Sequence, residues 1–100
     1  MPTLIYCKDA TGAAELRKTH SAAHLEYIET IINEICIAGP VREEAGGDVT
    51  GSCLIFRTDD QAAARELFSN DPYYKAGIFD SVEISHMAAA AGTWVGGKTW

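Results

Sequence analysis

His20-Ser21-Ala22-Ala23-His24-Leu25-Glu26-Tyr27-Ile28-Glu29-Thr30-Ile31-Ile32-Asn33-Glu34-Ile35-Cys36-Ile37-Ala38-Gly39-Pro40 is the stretch on which the fold turns. Leu25, Ile28, Ile31, Ile32 and Ile35 recur at steps of three and four, with Glu26, Glu29, Asn33 and Glu34 on the other side. That period belongs to an amphipathic helix. Ser21 is an N-cap residue type with two strong helix formers behind it. The apolar run Ile35 to Ala38 then reads as a strand closed by Gly39-Pro40. A helix that gives way to a strand here marks an αβ unit.

Upstream, Thr3 to Cys7 reads as a first strand, followed by a turn over Lys8-Asp9-Ala10-Thr11-Gly12. Helical patterning extends from Ala13 to Cys36. A break at Ser21 predicts a short turn over 13–19 and a main helix from about 22, and one continuous helix is the alternative. Downstream, Val41 to Thr50 is polar and glycine-bearing and is expected to be an exposed loop. Gly51 to Arg57 suits a third strand. Asp59 to Ser69 places Ala62, Ala63, Leu67 and Phe68 on one stripe behind an acidic start, until Asn70-Asp71-Pro72 halts it. Phe79 to Met87 alternates as a last strand.

The order is β-α-β-β-α-β, which predicts an α+β, ferredoxin-like sandwich with a four-stranded antiparallel sheet and both helices on one face. The other face then needs a cover, and a second copy of the chain is the natural one. Residues 1–87 form the domain. The tail 88–100 carries Trp94 and Trp100, which are expected to pack on the domain or on a partner subunit.

Composition narrows the function. Fourteen acidic against eight basic residues give a net charge of −6, and the basic residues form no stripe, which argues against nucleic acid. Cys7, Cys36 and Cys53 lack metal or disulfide spacing and fit a reducing compartment, so the cytoplasm is expected. The N-terminal residues carry no secretion pattern, and no apolar run has the roughly 20 residues of a membrane span.

His24 falls in the apolar stripe, pointing towards the sheet. In the first turn of a helix capped by Ser21, the positive helix end would keep its ring neutral, as a general base requires. A core histidine satisfied by backbone groups is the plain structural alternative. Arg17, seven residues earlier, is either a surface arginine or an anion clamp. Asp71 is a turn residue that the layout brings within reach of His24, where it would fix the imidazole tautomer. His20 and His24 have the spacing of two helical metal ligands, but a glutamate beside the first is lacking and no metal site is expected. His86 reads as a surface residue.

Arg17 with Ala23-His24-Leu25, then Ala38-Gly39-Pro40, Gly51-Ser52, Asn70-Asp71-Pro72-Tyr73, Ala76-Gly77 and Val82-Glu83-Ile84 together resemble the YciI-like (YCII-related) family over residues 1 to about 87. The resemblance implies a dimeric α/β barrel built from two ferredoxin-like subunits. It also implies that the active-site pair falls on His24 and Asp71, with Arg17 and Ser52 lining the cleft and Tyr73 as a further substrate contact. The expected function is general acid–base chemistry (proton abstraction, elimination or hydrolysis) on a small anionic or cyclic metabolite, without cofactor or metal. The alternatives are a non-catalytic dimeric module that binds a small ligand or regulates, and an oxygen-using monooxygenase.

Overall fold

The computed structural model describes residues 1–100. Strand β1 (Thr3–Asp9) is followed by helix α1 (Ala13–Thr30), β2 (Ile35–Arg42), β3 (Val49–Phe56), helix α2 (Gln61–Ser69), the single turn α3 (Pro72–Lys75) and β4 (Phe79–His86). The four strands form one antiparallel sheet in the order β2-β3-β1-β4. This is the predicted ferredoxin-like arrangement.

Alternation along the strands sorts the side chains between the two faces. Thr3, Ile5 and Cys7 of β1 and Ser52, Leu54 and Phe56 of β3 are buried beneath the helices. Ala64 and Phe68 of α2 close the main core over Ile5, Cys7, Leu54 and Phe56. A smaller cluster of Ala13, Tyr73 and Ile78 packs where α1 meets α3. Asp60 caps α2 by accepting from Ala62 and Ala63 N–H at 2.9 and 3.2 Å, as the acidic start suggested. Gly51 leaves no room for a side chain, because a Cβ there would collide with the Cys7 carbonyl oxygen.

Several boundaries differ from the sequence reading: β1 runs on to Asp9, and the expected loop over 41–50 shrinks to 43–48 because strand pairing carries β2 to Arg42 and starts β3 at Val49. Helix α1 runs unbroken from Ala13, with Gly12 in the left-handed region (φ 83°) as its N-cap, and Ser21 caps nothing. Nothing from Lys18 to Ala23 is a glycine or proline, and Thr19 donates its hydroxyl to the Glu15 carbonyl at 3.0 Å without leaving the helix. The helix stops at Thr30, and the 3-10 turn Ile32–Glu34 leads into β2. Strand β2 runs through Gly39-Pro40 to Arg42, which an edge strand tolerates because its outer N–H groups need no partner.

The inward stripe of α1 is also rotated from the expected one. Along α1 and its C-cap, Ala13, Leu16, Arg17, His20, Ser21, His24, Tyr27, Ile28 and Ile31 are the sheltered positions, whereas Leu25 and Ile32 are more than half exposed. The tail forms a small hairpin, Ala91–Gly92 against Gly97–Lys98. Trp94 and Trp100 are 83% and 76% exposed, so the fold of a single chain does not bury either indole. No helix is long and apolar enough to cross a membrane.

Candidate active site

Asp71 is set by the residue that follows it. Proline pushes the preceding residue into the extended region, and Asp71 has φ −66° and ψ 129°. From there its carboxylate folds over the start of α3 and accepts the Tyr73 N–H at 2.9 Å. The same carboxylate meets Nδ1 of His24, 2.8 Å from Oδ1 and 3.0 Å from Oδ2. Asp71 is 3% exposed, so these contacts replace its water. Two side chains far apart in sequence are thus brought together, as the layout suggested.

The consequence for His24 is chemical. An ionised carboxylate only accepts hydrogen bonds, so Nδ1 must carry a proton and the lone pair of the neutral ring lies on Nε2. No hydrogen bond within the chain engages Nε2. Because α1 begins at Ala13, His24 lies in the helix interior, and the helix-end argument for its neutrality does not apply. Asp71 orients the ring instead. Tyr73 lies parallel to it, with centroids 3.8 Å apart and planes 2° apart, so the imidazole is held on one face as well as at one nitrogen.

Arg17 is two helical turns before His24 on the same side of α1. Its Nε and Nη2 donate to Asp9 Oδ2 and Oδ1 at 2.9 and 2.8 Å, a bidentate pair. Nη2 also donates to the Ser52 hydroxyl at 2.9 Å and to the Gly51 carbonyl at 3.2 Å. Nη1 makes no hydrogen bond within the chain. The Tyr73 hydroxyl donates to the Arg17 carbonyl at 3.2 Å, tying the two halves of the site together. Since Ser52 accepts from Arg17, its own hydroxyl proton remains available to a ligand.

These groups line one cavity of about 280 Å³. Arg17, His24, Ser52, Asp71 and Tyr73, all singled out from the sequence, contribute to its wall. The apolar remainder comes from Leu25 and Ile28 of α1, Ala38 and Pro40 of β2, Leu54 and Phe79. His20 is off the cavity, and no group of three His, Cys, Asp or Glu side chains converges anywhere to hold a metal. His86, at the end of β4, is exposed and bonds the Asp59 carbonyl at 2.7 Å through Nε2.

The neighbouring titratable groups stay in their neutral forms. Burial, with Cys53 nearby, pushes the Cys7 thiol up to about 12 against the pull of Arg17. Burial raises Cys53 too, so neither is poised as a thiolate nucleophile. Tyr27 is raised by burial and by the charges of Asp71 and Glu66, and its hydroxyl donates to the Leu67 carbonyl at 2.8 Å.

The sequence reading missed Asp9, which it placed in the turn after β1. One signal was present: a carboxylate at a strand end just before a helix bearing Arg17 in its second turn. It also left Leu25 as a core residue, whereas this side chain stands at the cavity wall.

The YCII-related domain family matches residues 1–88. The YciI proteins of Escherichia coli O6:H1 and Shigella flexneri are each 27% identical over 88 residues, covering 81% of this chain and 90% of theirs. Among solved structures, the 5-chloro-2-hydroxyhydroquinone dehydrochlorinase of Burkholderia phenoliruptrix AC1100, in complex with 2,5-dihydroxybenzoquinone, is 33% identical with a TM-score of 0.80. The likeness covers 93% of this chain and 97% of that one. A protein from Agrobacterium tumefaciens shares the fold at 14% identity and a TM-score of 0.55, over 89% of this chain and 92% of its own.

Proposed function

The chain belongs to the YCII-related domain family, and from that premise we propose that it is a small-molecule enzyme performing acid–base elimination on a single hydroxylated ring. The observation that carries the reading is that His24 lines a cavity with Nδ1 held by Asp71 and Nε2 engaged by no group of the chain. The apolar wall and the volume of about 280 Å³ suit one six-membered ring. The likeness to a dehydrochlorinase bound to a dihydroxybenzoquinone supports both the ring and the reaction class.

His24 Nε2 takes a proton from the ring or its hydroxyl. The released electron pair forms a new double bond, and the leaving group departs as an anion. The imidazolium formed is stabilised by Asp71, then returns its proton to solvent, so the net loss is one molecule of acid. The Ser52 hydroxyl and Arg17 Nη1 donate to the ring oxygen as it gains charge. Tyr73 keeps the imidazole plane fixed. Base catalysis of this kind contributes roughly 10²–10⁴-fold.

The enzyme works as a homodimer paired through the sheet face that the helices leave open, where Ile37, Ile55 and Trp94 stand. Its three free thiols suit the reducing cytoplasm. The test is chloride release from 5-chloro-2-hydroxyhydroquinone and related halogenated hydroquinones. Wild-type turnover should fall at least about 10²-fold in His24→Ala, with circular dichroism and oligomeric state unchanged. Equal turnover in the variant, or no turnover of any ring by the wild type, overturns the reading.

A further inference from the structure

The charges around the cavity do not favour an anion. Arg17 is the one permanent cation in the wall, and Asp9 behind it takes both Nε and Nη2. The side chains of this pair are only 13% and 9% exposed, so solvent screens it weakly. Asp71 adds a second carboxylate. With His24 neutral, one positive and two negative charges leave the site at minus one. Two other titratable groups beside it, Cys7 on β1 and Tyr27 on α1, are held in their neutral forms by burial and add no charge. The proton on His24 is therefore the only positive charge that the site can add.

We propose that Asp9 is a specificity-determining residue: by neutralising Arg17 it makes the cavity select uncharged rings and admit an anionic ring only together with a proton on His24. This rests on the ring-elimination reading above and goes beyond it. It replaces the expectation that Arg17 clamps a substrate carboxylate. It also gives the cavity a direction, because a neutral ring meets a neutral base, and the ring's negative charge develops only as His24 becomes an imidazolium. Reactant and charge-separated state then carry the same total charge. Asp9 touches no ligand and acts through Arg17, so it is a positioning residue.

Two probes with one ring separate charge from shape: hydroquinone, uncharged at pH 8, and 2,5-dihydroxybenzoate, the same ring with a carboxylate. Anaerobic calorimetric titration of the full chain, in two buffers of different protonation enthalpy, reads affinity and protons taken up. Hydroquinone should bind with no proton uptake. The carboxylate should bind about tenfold more weakly and take up close to one proton. In Asp9→Asn the carboxylate should gain about tenfold and lose its proton uptake, with hydroquinone unchanged, and Asp9→Glu should restore the wild-type pattern.

Wild-type binding of the carboxylate as tight as that of hydroquinone, without a proton, overturns the inference while leaving the ring reading intact. So does an Asp9→Asn variant that weakens both probes equally, which is the mark of a merely structural ion pair. Hydroquinone that neither binds nor moves the His24 ring resonances overturns the ring reading itself, and this inference with it.

Discussion

The two faces of the sheet are built from alternate residues of the same strands, yet they have opposite characters. On the helix side, Asp71 and Ser52 are buried, and no buried side-chain nitrogen or oxygen lacks a partner. On the other side, Ile37 is 40% exposed and Trp94 stands nearly free above the β2–β3 edge. A larger cavity of about 820 Å³ lies between the tail and this edge, lined mostly by apolar groups such as Cys36, Ile55, Met87 and Val95. Burial alone does not make a site. The covered face has chemistry because helix α1 and turn α3 bring charged groups into a dry region where each is matched. Near the β2–β3 edge the open face is mainly apolar, with Tyr6, Lys8, Glu83 and Ser85 further across it on β1 and β4, and a broad patch of this kind has the character of a contact surface.

The contrast is broken most severely by Asp71→Asn. An amide can donate to Nδ1 and favour the tautomer that protonates Nε2, which removes the base. Turnover should fall about 10³-fold, with stability changed by less than about 0.5 kcal/mol, because an amide oxygen at this position caps α3 about as well as the carboxylate. Steady-state rates and chemical denaturation check both parts. Turnover within threefold of the wild type would show that the pair is only structural.

Gly51→Ala attacks the covered face through the backbone. A methyl group aimed at the Cys7 carbonyl forces β1 and β3 apart, and unfolding free energy should fall by about 3 kcal/mol. Alanine substitution at Gly39, with nothing within 4 Å of its Cβ position, is the matched control on the edge strand. Similar urea midpoints for the two variants would refute this account of the β1–β3 contact.

The third effect is a pH dependence. The Cys7 thiol, buried in the main core, is raised from an ordinary 9.0 to about 12. The folded state therefore holds this proton more tightly than the unfolded chain does. The associated stability is fully present below pH 9 and is lost as pH rises towards 12, at about 1.4 kcal/mol per pH unit. Denaturation curves between pH 8 and 11 should show that slope, and Cys7→Ala should flatten it. An unchanged slope in the variant would assign the alkaline limb to other groups.

The smallest effect is expected on the open face. Trp94→Ala should change the unfolding free energy of a single subunit by less than about 0.5 kcal/mol, because the indole buries little there. The same change should shift the proposed homodimer towards monomer in sedimentation experiments. A large loss of subunit stability with no change in association would place the indole against its own domain.

The strands and helices were legible because their periods are local properties: alternation in Phe79–His86, three- and four-residue steps in α1, and the proline after Asp71. The reading of Ser21 as a cap failed because capping residues are permissive, whereas only a glycine or proline would have forced a break. The stripe was misjudged by a small rotation, since Leu25 and His24 are neighbours and hydropathy favours the leucine. Packing kept His24 inward, against the buried carboxylate of Asp71, and turned Leu25 out to the cavity wall.

By itself the sequence determined the element order, the antiparallel ferredoxin-like sheet and the residue types able to do acid–base chemistry. Only the tertiary structure decided which nitrogen of His24 is left free, and that Arg17 is already answered by Asp9. Chain order sets what can form locally, but a site's charge balance depends on partners brought together from distant segments, and those distances exist only once the helices lie on the sheet.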